Sequence, residues 1–96
     1  MKSILRVRIK IPETSTKDGR YRLWLNQFML IERIYPIEIG SHLQLEETVY
    51  VKLPPGIHNV KLENLEMDTP VVINALVIND TAYRDLNTLV QSFELR

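Results

Sequence analysis

Ile4-Leu5-Arg6-Val7-Arg8-Ile9-Lys10-Ile11 alternates without a break, with Leu5, Val7, Ile9 and Ile11 on one side and Arg6, Arg8 and Lys10 on the other. Side chains point to opposite faces at successive strand positions, so this stretch makes a strand with one apolar face and one cationic face. A helix would spread the same apolar residues around its circumference. The reading extends outward from here. Pro12 and the polar run 14–19 break the pattern, and Asp18-Gly19 is a turn signal. Arg20 to Asn26 alternates again, with Tyr21, Leu23 and Leu25 inward and Arg20, Arg22 and Trp24 outward. Asn26-Gln27 then supplies a tight turn into the apolar run Phe28 to Tyr35. Ile37 and Ile39, between Pro36 and Gly40, are placed on an edge strand.

The second half is punctuated more sharply. Thr48 to Leu53 sets Val49, Val51 and Leu53 against Tyr50 and Lys52, and His58 to Asn64 sets Val60 and Leu62 against Asn59, Lys61 and Glu63. Pro54-Pro55-Gly56 separates the two runs as a strong turn, which predicts an antiparallel hairpin. Val71 to Ile78 is almost continuously apolar and β-branched, the pattern of a central strand covered on both faces. Near the C-terminus, Leu86, Leu89, Val90 and Phe93 fit helical spacing, whereas Leu89, Gln91, Phe93 and Leu95 fit a strand. The strand, from about Thr88 to Leu95, is preferred because the other segments form an all-β set.

These segments predict one all-β domain over residues 1–96, a single antiparallel β-sandwich of about seven or eight strands, jelly-roll or immunoglobulin-like. Its expected core is Leu5, Val7, Ile9, Leu23, Leu25, Val49, Val51, Val60, Leu62, Ile73 and Phe93. A chain of 96 residues without cysteine allows one compact core and no disulfide framework. The mean hydropathy of -0.11 is that of a globular domain. The N-terminus lacks an apolar signal region and no apolar run is long enough for a membrane span, so the expectation is a soluble protein of the producing cell's cytoplasm.

Enzyme chemistry is not expected. His42 and His58 are the only imidazoles and neither lies in a zinc-hydrolase spacing, there is no thiol, and three glycines build no phosphate-binding loop. Glu46 and Glu47 are adjacent, so on a strand they face opposite ways and cannot act as a carboxylate pair; a solvated loop before the strand is their expected setting. His58, in phase with Val60 and Leu62, is expected to point inward and hydrogen-bond a connector.

The residues with binding potential are cationic and aromatic. Residues 1 to 35 hold eight Lys or Arg against three Asp or Glu, a net of +5, and the rest of the chain carries -5. If the first two strands pair, Arg6, Arg8, Arg20 and Arg22 share one face with Trp24, whose exposed indole would suit a sugar ring or a partner protein. The same indole could pack under a connector or against a neighbouring subunit. Nucleic acid is not the expected partner, because a base-stacking face needs more aromatics than Trp24 alone. Asp80, Asp85 and Asn87 offer oxygen ligands of the kind calcium takes, without the EF-hand register; no other cofactor is implied.

Leu53-Pro54-Pro55-Gly56-Ile57-His58-Asn59-Val60-Lys61-Leu62 resembles the P-G-x-H-x-V-x-L hairpin of non-catalytic carbohydrate-binding jelly-roll modules. Asn79-Asp80, Asp85-Leu86-Asn87 and Phe93-Glu94-Leu95 are similar to the calcium- and xylan-binding end of some of them. The chain is expected to depart from those modules in lacking a secretion signal and an attached catalytic domain, and it has a single tryptophan. By size and architecture it also looks like accessory structural proteins of bacteriophage virions. Two functions are therefore expected. One is a non-catalytic structural or adaptor module that contacts itself or a larger protein assembly, as in a virion. The alternative is a polysaccharide-binding module, calcium-dependent if the aspartate loop serves.

Overall fold

The computed structural model describes residues 2–10, 19–35, 44–65 and 71–96. Eight strands occupy them: β1 (Ser3–Lys10), β2 (Gly19–Leu25), β3 (Phe28–Tyr35), β4 (Gln44–Val51), β5 (Gly56–Asn64), β6 (Val72–Ile78), β7 (Thr81–Tyr83) and β8 (Val90–Leu95). They form two four-stranded antiparallel sheets, ordered β4-β1-β6-β7 and β3-β2-β5-β8, with the core between them. The preference for a C-terminal strand over a helix holds, since β8 pairs along β5 from Gly56↔Leu95 to Lys61↔Val90.

Inward positions match the alternation. Leu5, Val7, Ile9, Leu23, Leu25, Val60, Leu62, Ile73 and Phe93 are all buried, joined by Tyr21, Val71, Leu76 and Ile78. Val49 and Val51 point the same way but are only half-buried, because β4 is an edge strand and its inner face is covered on one side alone. The β2–β3 turn is the expected Asn26-Gln27 pair, with Asn26 at φ 54, a region asparagine tolerates better than most residues. The edge strand placed at Ile37 and Ile39 falls outside the described residues.

Three expectations are corrected. Thr48 to Leu53 and His58 to Asn64 do not form a hairpin: β4 belongs to one sheet and β5 to the other, so Pro54-Pro55-Gly56 is a corner between sheets. Two prolines cannot donate to a ladder, and Gly56 at φ 135 adopts a backbone conformation that residues with a side chain rarely take. β1 and β2 do not pair either. Each lies at the centre of its own sheet, so their cationic faces point away from each other. β6 is central, between β1 and β7, but buried on one face only; its other face is half-covered.

Two bulges shape the outer surfaces. Between β1 and β6 the register shifts at Arg8/Ile9, leaving Asn74 as the additional residue on β6. Between β2 and β3 it shifts at Leu23/Trp24, leaving Leu30 as the additional residue and turning Met29 outward opposite Trp24.

His58 fastens the corner from below, as its phase with Val60 and Leu62 implied. It is 7% exposed, and its Nε2 lies 2.8 Å from the Pro54 carbonyl while its Nδ1 lies 3.0 Å from Asn26 Nδ2. A carbonyl only accepts and an amide nitrogen only donates, so the ring is the neutral tautomer with its proton on Nε2. The Asn26 Oδ1 accepts from the Asn59 amide at 2.9 Å, which fixes the amide's orientation. The imidazole also packs on Phe93, centroid to centroid 5.6 Å. His58→Ala should cost about 1–3 kcal/mol through unpaired buried partners, lowering the thermal midpoint by roughly 4–8 °C per kcal/mol. Thermal unfolding followed by circular dichroism checks this; an unchanged midpoint would remove His58 from the structural frame.

Candidate functional site

Each sheet presents one outer face, and the sequence-derived residues divide between them. On the first sheet the outward residues of β1 are Ile4, Arg6, Arg8 and Lys10, opposite Tyr50, Thr48, Glu46 and Gln44 of β4. On the other flank, Arg6 lies opposite Val77 and Arg8 opposite Ala75. Small side chains on β6 beside long ones on β1 leave a trough. Its far wall is Arg84 and Asp85, just beyond β7, where Asp85 at φ 57 turns the chain and the Leu86 amide donates to the Asn74 carbonyl at 2.8 Å. The result is an open groove of about 410 Å³ with a floor of Asn74, Ala75 and Val77. Arg8 pairs loosely with Glu46 at 3.6 Å, both half-exposed. Arg6 and Arg84 make no ion pair or hydrogen bond to a described residue.

The second sheet carries Arg20, Arg22 and Trp24 on its outer face, the phase expected of them. A charged ladder crosses it. The Arg22 Nε donates to Glu32 Oε1 at 2.7 Å, and its Nη1 lies 3.7 Å from Glu63 Oε1. The hydrogen bond to Glu32 raises the guanidinium's affinity for its proton. Trp24 is half-buried and its Nε1–H donates to Glu63 Oε1 at 3.1 Å, so its polar edge is engaged within the chain. Met29 flanks it on β3 and Lys61 on β5. Arg6 and Arg8 are thus separated from Arg20, Arg22 and Trp24, and together they do not form one basic face. Among the described residues the basic and acidic parts of the sequence are interleaved rather than set apart. Arg8–Glu46, Arg22–Glu63 and Arg33–Glu47 each join the basic part of the chain to the acidic part.

Asp80, Asp85 and Asn87 are not brought into a common loop. Asp80 sits at the tip of the β6–β7 hairpin, Asp85 beyond the other end of β7, and the strand between them sets them apart. Among the described residues no three His, Asp or Glu side chains gather as metal ligands. His42 lies outside the described residues.

Sequence reading missed one cluster. Glu47 is not in a solvated loop: β4 begins at Gln44, and Glu47 points inward, 7% exposed, while Glu46 points outward. The Tyr21 hydroxyl donates to Glu47 Oε1 at 2.7 Å, and Arg33 donates through Nε at 3.0 Å and Nη2 at 3.2 Å to the two carboxylate oxygens. The signal was present, since Glu47 shares parity with Leu45, Val49 and Val51. Arg84 was missed because nothing in its local sequence places it beside β1.

No family model, curated protein or solved structure matches the chain. No helix of the described residues is long and apolar enough to cross a membrane.

The Glu47 cluster has a pH consequence. Burial, then the hydrogen bond from the hydroxyl to Glu47, pushes the Tyr21 phenol well above its ordinary range. A phenol that holds its proton more tightly in the folded state contributes stability that is complete below about pH 10 and declines above it. The expected outcome is alkaline unfolding accompanied by late ionisation of one tyrosine, read from tyrosinate absorbance. In Tyr21→Phe that late phase disappears, and stability near neutral pH falls by about 1.5–3 kcal/mol for the lost hydrogen bond to a carboxylate. Simple titration of all four tyrosines without unfolding would contradict the placement.

Proposed function

We propose that the chain is a non-catalytic structural or adaptor module that works by protein–protein contact, with itself or within a larger assembly. The fold is a small all-β domain, and His58, the one imidazole among the described residues, has both nitrogens engaged by Asn26 and Pro54. The observation that carries the reading is the β3 edge. This eight-residue strand pairs only with β2 among the described residues and exposes Phe28 at 75%, Met29 at 51% and Ile34 at 63%. Unpaired backbone groups along apolar side chains form a template for another strand, and edge strands on stable monomers are usually short, charged or covered. The finer reading, a virion component, rests on likeness of size and sandwich architecture. Carbohydrate binding keeps one point in its favour, Trp24 on an outer face beside Met29 and Lys61. Its engaged N–H and half-burial leave a single partial platform.

Because Arg8, Arg22 and Arg33 are already paired within the chain, contact through β3 should be apolar and should survive salt. At 0.5 M the Debye length falls to about 4 Å, yet light scattering of the purified chain should still show concentration-dependent association. Ile34→Lys should abolish it without altering the thermal midpoint. A chain that stays monomeric at high concentration, shows no contact through β3 and is retarded on polysaccharide gels would replace this reading with the carbohydrate-binding one.

A further inference from the structure

The groove on the outer face of the β4-β1-β6-β7 sheet is separate from the β3 edge and has a chemistry of its own. Arg6 and Arg8 stand on β1, Arg84 on the opposite wall, and the small side chains Ala75 and Val77 lie between. Three guanidiniums in one trough repel each other, and among the described residues only Arg8 has an ion-pair partner. Glu46 and Asp85 bring two carboxylates to the same groove, so it carries a surplus of one positive charge. One added carboxylate neutralises that surplus. A doubly charged phosphate or a nucleic-acid backbone would exceed it and face Glu46 and Asp85 directly.

The polar complement narrows the ligand further. Asp85 accepts and Asn74 both donates and accepts, so a ligand with N–H and C=O groups beside its carboxylate fits better than a simple acid. The stretch from Asn74 to Val77 is roughly 10 Å long at the rise of an extended chain, enough for about three residues laid along it. Its floor of Asn74, Ala75 and Val77 is lined by small side chains, which suits a segment of small residues beside the carboxylate.

We infer that this groove binds an extended segment of a partner protein carrying one Glu or Asp between small residues, with the carboxylate held by Arg6 and Arg84. The inference rests on the reading of the chain as a protein-contact module and gives it a second surface, on the opposite sheet from Trp24. Guanidinium forks match carboxylate geometry and make the stronger class of hydrogen bond, so these two arginines should dominate recognition.

The test is a titration of the whole isotope-labelled chain with acetyl-Ala-Glu-Ala-amide, followed by amide chemical shifts. Saturable shifts are expected at Asn74, Ala75, Val77 and Arg84. The Gln counterpart should bind about tenfold more weakly, and so should the Glu peptide to Arg6→Gln or Arg84→Gln, the equivalent of about 1.4 kcal/mol. Both positions are exposed, so unchanged thermal midpoints will show that the variants fold. Arg20→Gln, on the other sheet, should bind as the parent does. Equal binding of the Gln peptide, shifts confined to another face, no saturable shift, or tighter binding of inorganic phosphate or single-stranded DNA would each overturn the inference. Loss of association in Ile34→Lys with peptide binding intact would show that the two surfaces stand or fall separately.

Discussion

A buried carboxylate holds the two sheets in one relative position. Glu47 points inward from β4, and its oxygens are met by the Tyr21 hydroxyl from β2 and the Arg33 guanidinium from β3. Those strands lie in different sheets, β4 in one and β2 and β3 in the other. Apolar contact between sheets is non-directional, so Leu5, Val7 and Leu23 would tolerate small slides and rotations. Hydrogen bonds to a buried carboxylate are directional, and a slide that pulls Glu47 away from Tyr21 and Arg33 leaves a charge without compensation. The hydrogen bond to Glu47 also raises the affinity of Arg33 for its proton.

The opposite end of β2 is held by a neutral device. Asn26, at the β2–β3 turn, binds His58 through Nδ2 and the Asn59 amide through Oδ1, and His58 binds the Pro54 carbonyl. The corner that carries the chain from β4 to β5 is thereby tied to a turn of the second sheet. Ionic closure at Glu47 and neutral closure at His58 leave β3 between two fixed points, its apolar side chains displayed on a rigid edge. Preorganisation of this kind lowers the ordering cost of association.

The bulges give the faces different characters. An additional residue at Leu30 turns Met29 outward and extends the apolar edge toward Trp24. One at Asn74 sets small side chains beside the β1 arginines and opens the groove. The β3 edge and the groove lie on separate sheets, so the two proposed contacts would not compete. The first displays Phe28, Met29 and Ile34, and the second is polar with a single surplus charge.

Alternation determined a great deal. Period-two patterning in Leu5 to Ile9, Tyr21 to Leu25 and His58 to Leu62 specifies strands and an inward set, because a strand has only two faces. The inward phase of His58 followed in the same way, and so did that of Glu47, had its strand been begun at Gln44. What alternation leaves open is which strand lies beside which. β4 and β5 would show the same pattern as a hairpin within one sheet or as an arch between two, since inward residues stay inward in both. Only the packing of the sheets decides, and it placed the Pro54-Pro55-Gly56 turn at a corner. The same choice parted Arg6 and Arg8 from Arg20, Arg22 and Trp24 and brought Arg84 to the first pair. A binding face belongs to neighbours in space, and strand order is set by contacts between residues far apart in the chain.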